Sequence, residues 1–269
     1  VLQVLPSLDI GGGGVERSAI DVGEALVLAG KKAVVASEGG RQVVELERRG
    51  VKHIALPLAS KNPLVIRRNI RRLAEVIERE KIELVHARSR APAWSARAAA
   101  RETGVPFVTT FHGTYNFGTG LMGDLKKRYN AVMIDADAVI ANSNFIASHI
   151  AENYGLSGPK VHVVPRGIDT ARFDAEGFNP NRTIEVATRW RVPDDSMVVL
   201  LPGRLTRWKG QLLFIEALAE LKSRRGPDNF NITGLLVGSD QGREAYRKEL
   251  EDQIEEKGLA GNVQIVGHF

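Results

Sequence analysis

The sequence predicts an α/β protein built from doubly wound parallel sheets, and three observations carry that prediction. Short apolar, β-branched runs alternate with amphipathic stretches; the alternation lapses once, in a polar segment; and it then begins again. Residues 1–165 thus read as a first domain, 166–195 as an interdomain linker and 196–269 as the start of a second domain that the chain does not complete.

In the first domain the strands are Val1–Pro6, Ala33–Ala36, His53–Leu56, Leu84–Ala87, Phe107–Phe111, Val139–Ala141 and Val161–Val164. Each is short and apolar, as a parallel strand buried on both faces should be. Helices are predicted over Glu16–Ala29, Gln42–Arg49, Leu64–Glu80, Pro92–Thr103, Leu121–Ile134 and Asn144–Tyr154. Ser143 is placed to cap the last of these, and Gly30, Gly104 and Gly155 fall just past helix ends. The linker is read from Pro165, Gly167, Gly177, Pro180 and Pro193 within a polar stretch. The second domain opens with strand Met197–Leu201, helix Gln211–Arg224, strand Ile232–Val237, helix Arg243–Lys257 and strand Val263–Val266. Three strands and two helices leave the last strand's face uncovered, so a larger parent protein is expected. Val1 stands inside a strand where a start would show Met and some lead-in, so an N-terminus, with any targeting peptide, is expected to have been removed.

Composition excludes several classes of function. The 269 residues are 43% hydrophobic and 26% charged, with no Cys, so the chain is a globular protein without a thiol nucleophile, a Cys-ligated metal or a disulfide. Absence of Cys suits a reducing compartment, which makes the cytoplasm the expected location. No apolar run is long enough to span a bilayer. Up to Asp169 there are 23 basic and 17 acidic residues, and after it 14 and 15, so the basic excess sits in the first part. An anionic partner is expected there, and without interleaved aromatic and basic residues nucleic acid is not the one read.

Ligands of open α/β sheets sit at the carboxyl ends of the strands, which directs attention to four loops. The first, Gly11-Gly12-Gly13-Gly14-Val15-Glu16-Arg17, leaves a strand and opens a helix, whose free amides attract phosphate. As a dinucleotide fingerprint it fails at its third small position, which is Glu16, although Glu38 after the second strand could mimic a ribose-binding acid. Glu16 is equally what the first turn of any helix favours. The second and third loops are Arg88-Ser89-Arg90 and His112-Gly113-Thr114-Tyr115-Asn116. Two guanidiniums suit an anionic substrate group, and His112 is placed to touch a sugar hydroxyl, against the competing reading of a structural histidine. In the fourth, Gly203-Arg204-Leu205-Thr206-Arg207-Trp208-Lys209-Gly210, two cations near a helix start could hold a diphosphate; a solvated basic turn is the alternative.

Together these segments resemble the retaining glycosyltransferases of the GT-B fold, most closely family 4, of group 1 type. Gly13-Gly14-Val15-Glu16 is similar to that family's Gly-Gly-x-Glu loop, Pro165-Arg166-Gly167-Ile168-Asp169 to its Pro-x-Gly-x-Asp stretch, and Gly203-Arg204 through Lys209-Gly210 to its donor-phosphate motif. The resemblance implies two Rossmann-like domains facing a cleft, with a UDP- or GDP-type nucleotide-sugar donor on the second and the acceptor on the first. It implies that Arg204 and Lys209 hold the donor diphosphate and stabilise its departure without a metal or other cofactor. Gly13 and Gly14 would approach the donor, His112 would lie near the transferred sugar, and Gly238 near the nucleoside. Arg88 and Arg90 remain as acceptor contacts. The family's Glu-x7-Glu motif should follow Phe269; Glu75 and Glu83 share its spacing but lie in the first domain. The fragment alone would then lack part of its donor site.

The resulting expectation is a metal-independent hexosyltransferase acting on a cell-envelope glycan or a lipid-linked acceptor. The alternatives are a nicotinamide-dependent oxidoreductase or epimerase, which Glu16 opposes, and a two-domain sugar-binding protein, which has no evident need of Arg204 and Lys209. A peripheral position at the inner face of the membrane is read from Lys61, Arg67, Arg68, Arg71 and Arg72, which flank the apolar stripe Ile66, Ile70, Leu73 and Ile77. The competing reading of that helix is a solvated face with Arg71 paired to Glu75.

Overall fold

The structure is a computed structural model that describes residues 1–9, 13–115, 117–171, 173, 174, 176, 177 and 179–267. It divides into two compact units, residues Val1–Gly167 and Ile168–Phe269.

The first unit runs β1 (Leu2–Val4), α1 (Gly14–Leu28), β2 (Val34–Ser37), α2 (Val43–Arg48), β3 (Lys52–Ala55), α3 (Pro63–Glu80), β4 (Val85–Ala87), α4 (Arg90–Thr103), β5 (Phe107–Phe111), α5 (Gly120–Asn130), β6 (Ala138–Ala141), α6 (Asn144–Tyr154) and β7 (Val161–Val163). Among the described residues its sheet has seven strands in the order β3-β2-β1-β4-β5-β6-β7, with every pairing parallel. Burial follows position in the sheet: β1, β2 and β4 are buried at every residue, whereas the edge strands β3 and β7 are partly exposed. One core gathers Ala19, Ile20 and Leu46 of α1 and α2 with Val35. The other gathers Leu73, Ala96, Ala99 and Ile150 of α3, α4 and α6 with Val4, Val85 and Val139. The sheet is therefore covered on both faces, and β1 and β4, its central neighbours, send the chain to opposite sides.

Local chemistry sets the helix ends. Asn62 accepts from the Leu64 amide ahead of Pro63, and Ser143 accepts from the Ile146 amide at 3.2 Å, as expected of an N-cap. Gly104 and Gly155 close α4 and α6 in the left-handed conformation. Several boundaries move by a residue or more from the sequence reading, and two of them have a clear local reason. α4 begins at Arg90, because a first turn tolerates Pro92. α5 ends at Asn130, and the chain tightens into a 3-10 turn over Ala131–Met133.

The second unit contains α7 (Pro180–Arg189), β8 (Met197–Pro202), α8 (Gln211–Arg225), β9 (Ile232–Val237), α9 (Glu244–Glu256) and β10 (Val263–Gly267). Helix α7 lies within the stretch read as a linker. Asn179 and Pro180 look like chain breakers but are its N-cap and first residue, and the Asn179 side chain accepts from the Asn181 amide at 3.0 Å. The described strands form a parallel sheet ordered β10-β9-β8, with Ile215, Leu218, Leu236 and Leu250 in one core. Apolar exposure, expected on the last strand, falls instead on Met197, Val198 and Leu200 of β8. Among the described residues β8 forms the other edge of this sheet, pairing with β9.

Candidate functional site

The carboxyl ends of β1 and β4 form the crevice where an open α/β sheet binds ligands, because the two connections diverge there. Gly13 follows β1 and caps α1 at φ 125°, a conformation suited to glycine. It offers no side-chain cap, so the first amides of α1 keep their donor capacity. Gly14, the first residue of α1, leaves room for the Arg166 guanidinium; a methyl group there would collide with it.

Arg88, directly after β4, is only 2% exposed. Its Nε donates to Gln3 Oε1 at 2.5 Å and its Nη1 to Ser18 Oγ at 3.0 Å, and Gln3 is itself held by its Nε2 donating to the Ala19 carbonyl at 3.0 Å. Among the described residues the buried Nη2 has no partner. A buried donor left unpaired costs about 1–3 kcal/mol, more on a charged group, so this nitrogen marks a place where a ligand would repay the fold. Burial, reinforced by the charge of Arg166, lowers the Arg88 pKa to about 10.

His112, after β5, receives a hydrogen bond at 2.7 Å on Nδ1 from Nη2 of the exposed Arg166. A guanidinium only donates, which assigns the imidazole hydrogen to Nε2. That Nε2 is buried and has no hydrogen-bond partner among the described residues. Burial first, then the charges of Arg88 and Arg166, push the His112 pKa down to about 3. The ring is therefore a neutral donor at any physiological pH. Glu16, in the first turn of α1, acts on Arg166 through its charge.

Arg90 does not join this group. Its Nη1 donates to Asn130 Oδ1 at 2.9 Å and its guanidinium lies 4.4 Å from the Tyr115 ring centroid, on an aromatic cluster with Phe111 and Tyr154. The two arginines read as a pair thus serve different surroundings, because the turn into α4 sends them apart. The guanidinium that accompanies Arg88 is Arg166. It follows a strand as the others do, so the strand-end rule applied to β7 would have found it. Ser18 and Gln3 carried no comparable signal.

In the second unit the loop from Gly203 to Gly210 joins β8 to α8. Leu205 and Thr206 are buried and anchor it, and the Arg204 carbonyl accepts from the buried Gln211 side chain at 3.0 Å. Both cations lie against one exposed indole: Lys209 Nζ is 4.4 Å, and the Arg204 guanidinium carbon 5.9 Å, from the Trp208 centroid. Among the described residues neither is in an ion pair, whereas Arg207 binds Glu249 at 2.6 Å and covers Tyr246. Gly238 lies under this loop: a methyl group there would overlap the Gly203 carbonyl. Its visible role in the structure is to let two strand ends approach.

Two parallel α/β units with polar groups gathered at their strand ends define the GT-B class of glycosyltransferase architecture. Comparison with solved structures agrees: the chain superposes on a glycosyltransferase from Rickettsia africae ESF-5 with a TM-score of 0.83 and 35% identity, covering 100% of this chain and 68% of that one. It also superposes on Anabaena Alr3699/HepE in complex with UDP-glucose, with a TM-score of 0.78 and 22% identity over 100% and 68% of the two chains. Residues 12–172 match Glycosyltransferase Family 4 and residues 185–269 match Glycosyl transferases group 1, so the chain belongs to glycosyltransferase family 4. A D-inositol 3-phosphate glycosyltransferase of Jonesia denitrificans is 30% identical over 135 residues, which are 50% of this chain and 31% of that protein. The chain thus covers about a third of that curated relative.

Proposed function

We propose that this chain forms part of a retaining, metal-independent hexosyltransferase that moves a sugar from a UDP- or GDP-type nucleotide sugar to a glycan or lipid-linked acceptor of the cell envelope. The observation that carries this reading is the pair Arg204 and Lys209, two cations without ion pairs among the described residues, held on Trp208 at the uncapped start of α8. Backbone amides and two cations together suit a diphosphate. When the bond between sugar and diphosphate breaks, negative charge grows on the departing nucleotide, and these groups stabilise it where a metal ion does so in other enzymes. The acceptor oxygen takes the sugar and its proton is released. His112, neutral and donating from Nε2, is assigned to a hydroxyl of the transferred sugar. Gly13 and Gly14 are assigned to the approach of the donor, and Arg88 to the acceptor. The UDP-glucose bound in Alr3699/HepE supports a nucleotide sugar as donor.

Calorimetric titration with UDP and GDP tests the assignment. Lys209→Ala should weaken binding by about tenfold to a hundredfold, the value of one charge-assisted bond to phosphate. Arg207→Ala, which removes a cation already satisfied by Glu249, should leave it near wild type. Equal losses in the two variants would reduce the loop to a basic turn.

A cytoplasmic location at the inner face of the membrane belongs to the same proposal. No helix among the described residues is long and apolar enough to cross a membrane. Arg67, Arg68, Arg71 and Arg72 are exposed on α3 and enter no ion pair among the described residues, so the Arg71–Glu75 pair expected of a solvated face is not formed. Such residues attract anionic lipid at about 1 kcal/mol each. Unchanged sedimentation with anionic vesicles at low salt, after all four are replaced by Gln, would remove this part.

A further inference from the structure

We propose that the crevice between β1 and β4 is a seat for an oxyanion, a phosphate or carboxylate carried by the acceptor, with Arg88 and Arg166 as its ligands. The acceptor assignment rests on the transferase reading above; the seat itself does not.

The argument begins with a guanidinium that is fixed but not satisfied. Gln3 and Ser18 hold Arg88 by Nε and Nη1, which sets the plane of the fork and leaves the buried Nη2 with both hydrogens unused. A second guanidinium of the same sign lies against the same helix, one turn away. Arg166 lies over Gly14 at the start of α1, with one nitrogen on His112. Its charge depresses the ionisation of both Arg88 and His112, so the three groups share one electrostatic neighbourhood. Glu16, in the first turn of α1, acts on Arg166 through its charge, and the charge of Arg166 in turn acts on buried Arg88.

Arg88, held on Ser18, and Arg166, lying over Gly14, both offer hydrogen beside the first turns of α1, and a ligand that complements the two guanidiniums must present acceptors and negative charge. The rigid fork of Arg88 favours a group with two or more equivalent oxygens, which is the geometry of phosphate and carboxylate. Arg166, being exposed, leaves the seat open to solvent on its own side. The same chemistry could come from the distal phosphate of a nucleoside diphosphate. The acceptor is favoured because the donor's diphosphate already has two cations available in Arg204 and Lys209.

The test uses the whole protein, with inorganic phosphate as the probe and isothermal titration as the readout, in the presence and absence of saturating UDP. Phosphate is expected to bind in both conditions. Arg166→Gln should weaken it at least tenfold while UDP affinity stays within twofold, and Lys209→Ala should do the reverse. Arg88→Lys, which keeps the buried charge but loses the fork, should also weaken phosphate; its fold is verified by circular dichroism, and Ser18→Ala, which only loosens the guanidinium plane, replaces it if the fold is lost. Displacement of phosphate by UDP, or its loss in Lys209→Ala, would give the anion to the donor and overturn the proposal. So would phosphate affinity unchanged in Arg166→Gln. If UDP fails to bind wild type, the donor reading fails, and the phosphate titrations still decide the seat.

Discussion

The two units place cations at strand ends by different physical means. In the first, Arg88 is buried and each of its fixed contacts is a side chain brought from another element, Gln3 from β1 and Ser18 from α1. In the second, Arg204 and Lys209 stand near the surface, and their loop is shaped by backbone approach at Gly238, the buried residues Leu205 and Thr206, and contact with Trp208. A buried charge needs an exact polar shell, because unpaired groups are costly in a low dielectric. An exposed cation needs only a scaffold, since water solvates it until the ligand arrives. On the proposed function, the first unit gains selectivity through preorganisation, whereas the second keeps solvent-exposed charge for a diphosphate.

The largest effect that would test this contrast lies in the second unit. Lys209→Ala should reduce sugar transfer by about a hundredfold to a thousandfold, more than it reduces nucleotide binding, because charge on the leaving group grows in the transition state. Steady-state rates beside the titrations measure the gap. Equal losses in both would show that the lysine binds but does not assist departure.

Glycine substitutions sharpen the comparison next. Gly238→Ala pushes a methyl group into the Gly203 backbone, which cannot retreat without moving the loop; a loss of about 1–3 kcal/mol in thermal unfolding is expected, with weaker UDP binding. Gly14→Ala meets only the end of a flexible arginine, which can swing aside, so stability should change by about 0.5 kcal/mol or less. A Gly14→Ala variant as damaged as Gly238→Ala would show that Arg166 is not free to move.

Acid should loosen the first unit before the second. Folded His112 resists protonation down to about pH 3, while the unfolded chain takes up that proton near 6.5, so the fold loses stability as pH falls from 6.5 towards 3. Buried His86, bonded to Thr110 at 2.7 Å, acts in the same direction. Glu80, held by Lys32, Lys52 and Arg79, has its pKa lowered to about 2, so its contribution is complete above about 4.5 and disappears as pH falls towards 2. Hydrogen exchange between pH 7 and 4, corrected for intrinsic rates, should show protection lost first around β4 and β5. Earlier loss in β8 and β9 would contradict it. Glu80→Gln should flatten the acid limb below pH 4.5.

The smallest expected effect concerns helix caps. Asn179→Ala removes the acceptor for the Asn181 amide and should destabilise α7 by about 1 kcal/mol, and Ser143→Ala should do the same to α6. Local exchange rates distinguish the two. No change at Asn179 would mean that Pro180 alone starts the helix.

Strands and helices were legible because their signals are local. A run such as Ala33–Ala36 is apolar wherever it is placed, and Ser143 caps the helix that follows it. The order of chemistry-bearing loops was legible too, since each follows a strand. Helix α7 was not read from the sequence, because asparagine followed by proline serves both as a breaker and as a helix start; in the structure Asn179 caps the Asn181 amide, and no residue of α7 is buried. The sequence by itself thus determined the doubly wound class, the glycine start of α1 at Gly13 and Gly14, and the Arg204 to Lys209 loop; Gly11 and Gly12 lie outside the described residues. Tertiary structure alone decided which cations find partners. Arg90 went to Tyr115 and Asn130, Arg166 to His112, and Arg207 to Glu249, while Arg204 and Lys209 met no carboxylate among the described residues. Those choices join residues up to 85 positions apart, as Gln3 and Arg88 are, and depend on strand order and helix rotation. Spacing along the chain encodes neither, because a side chain's partner is set by the elements packed beside it.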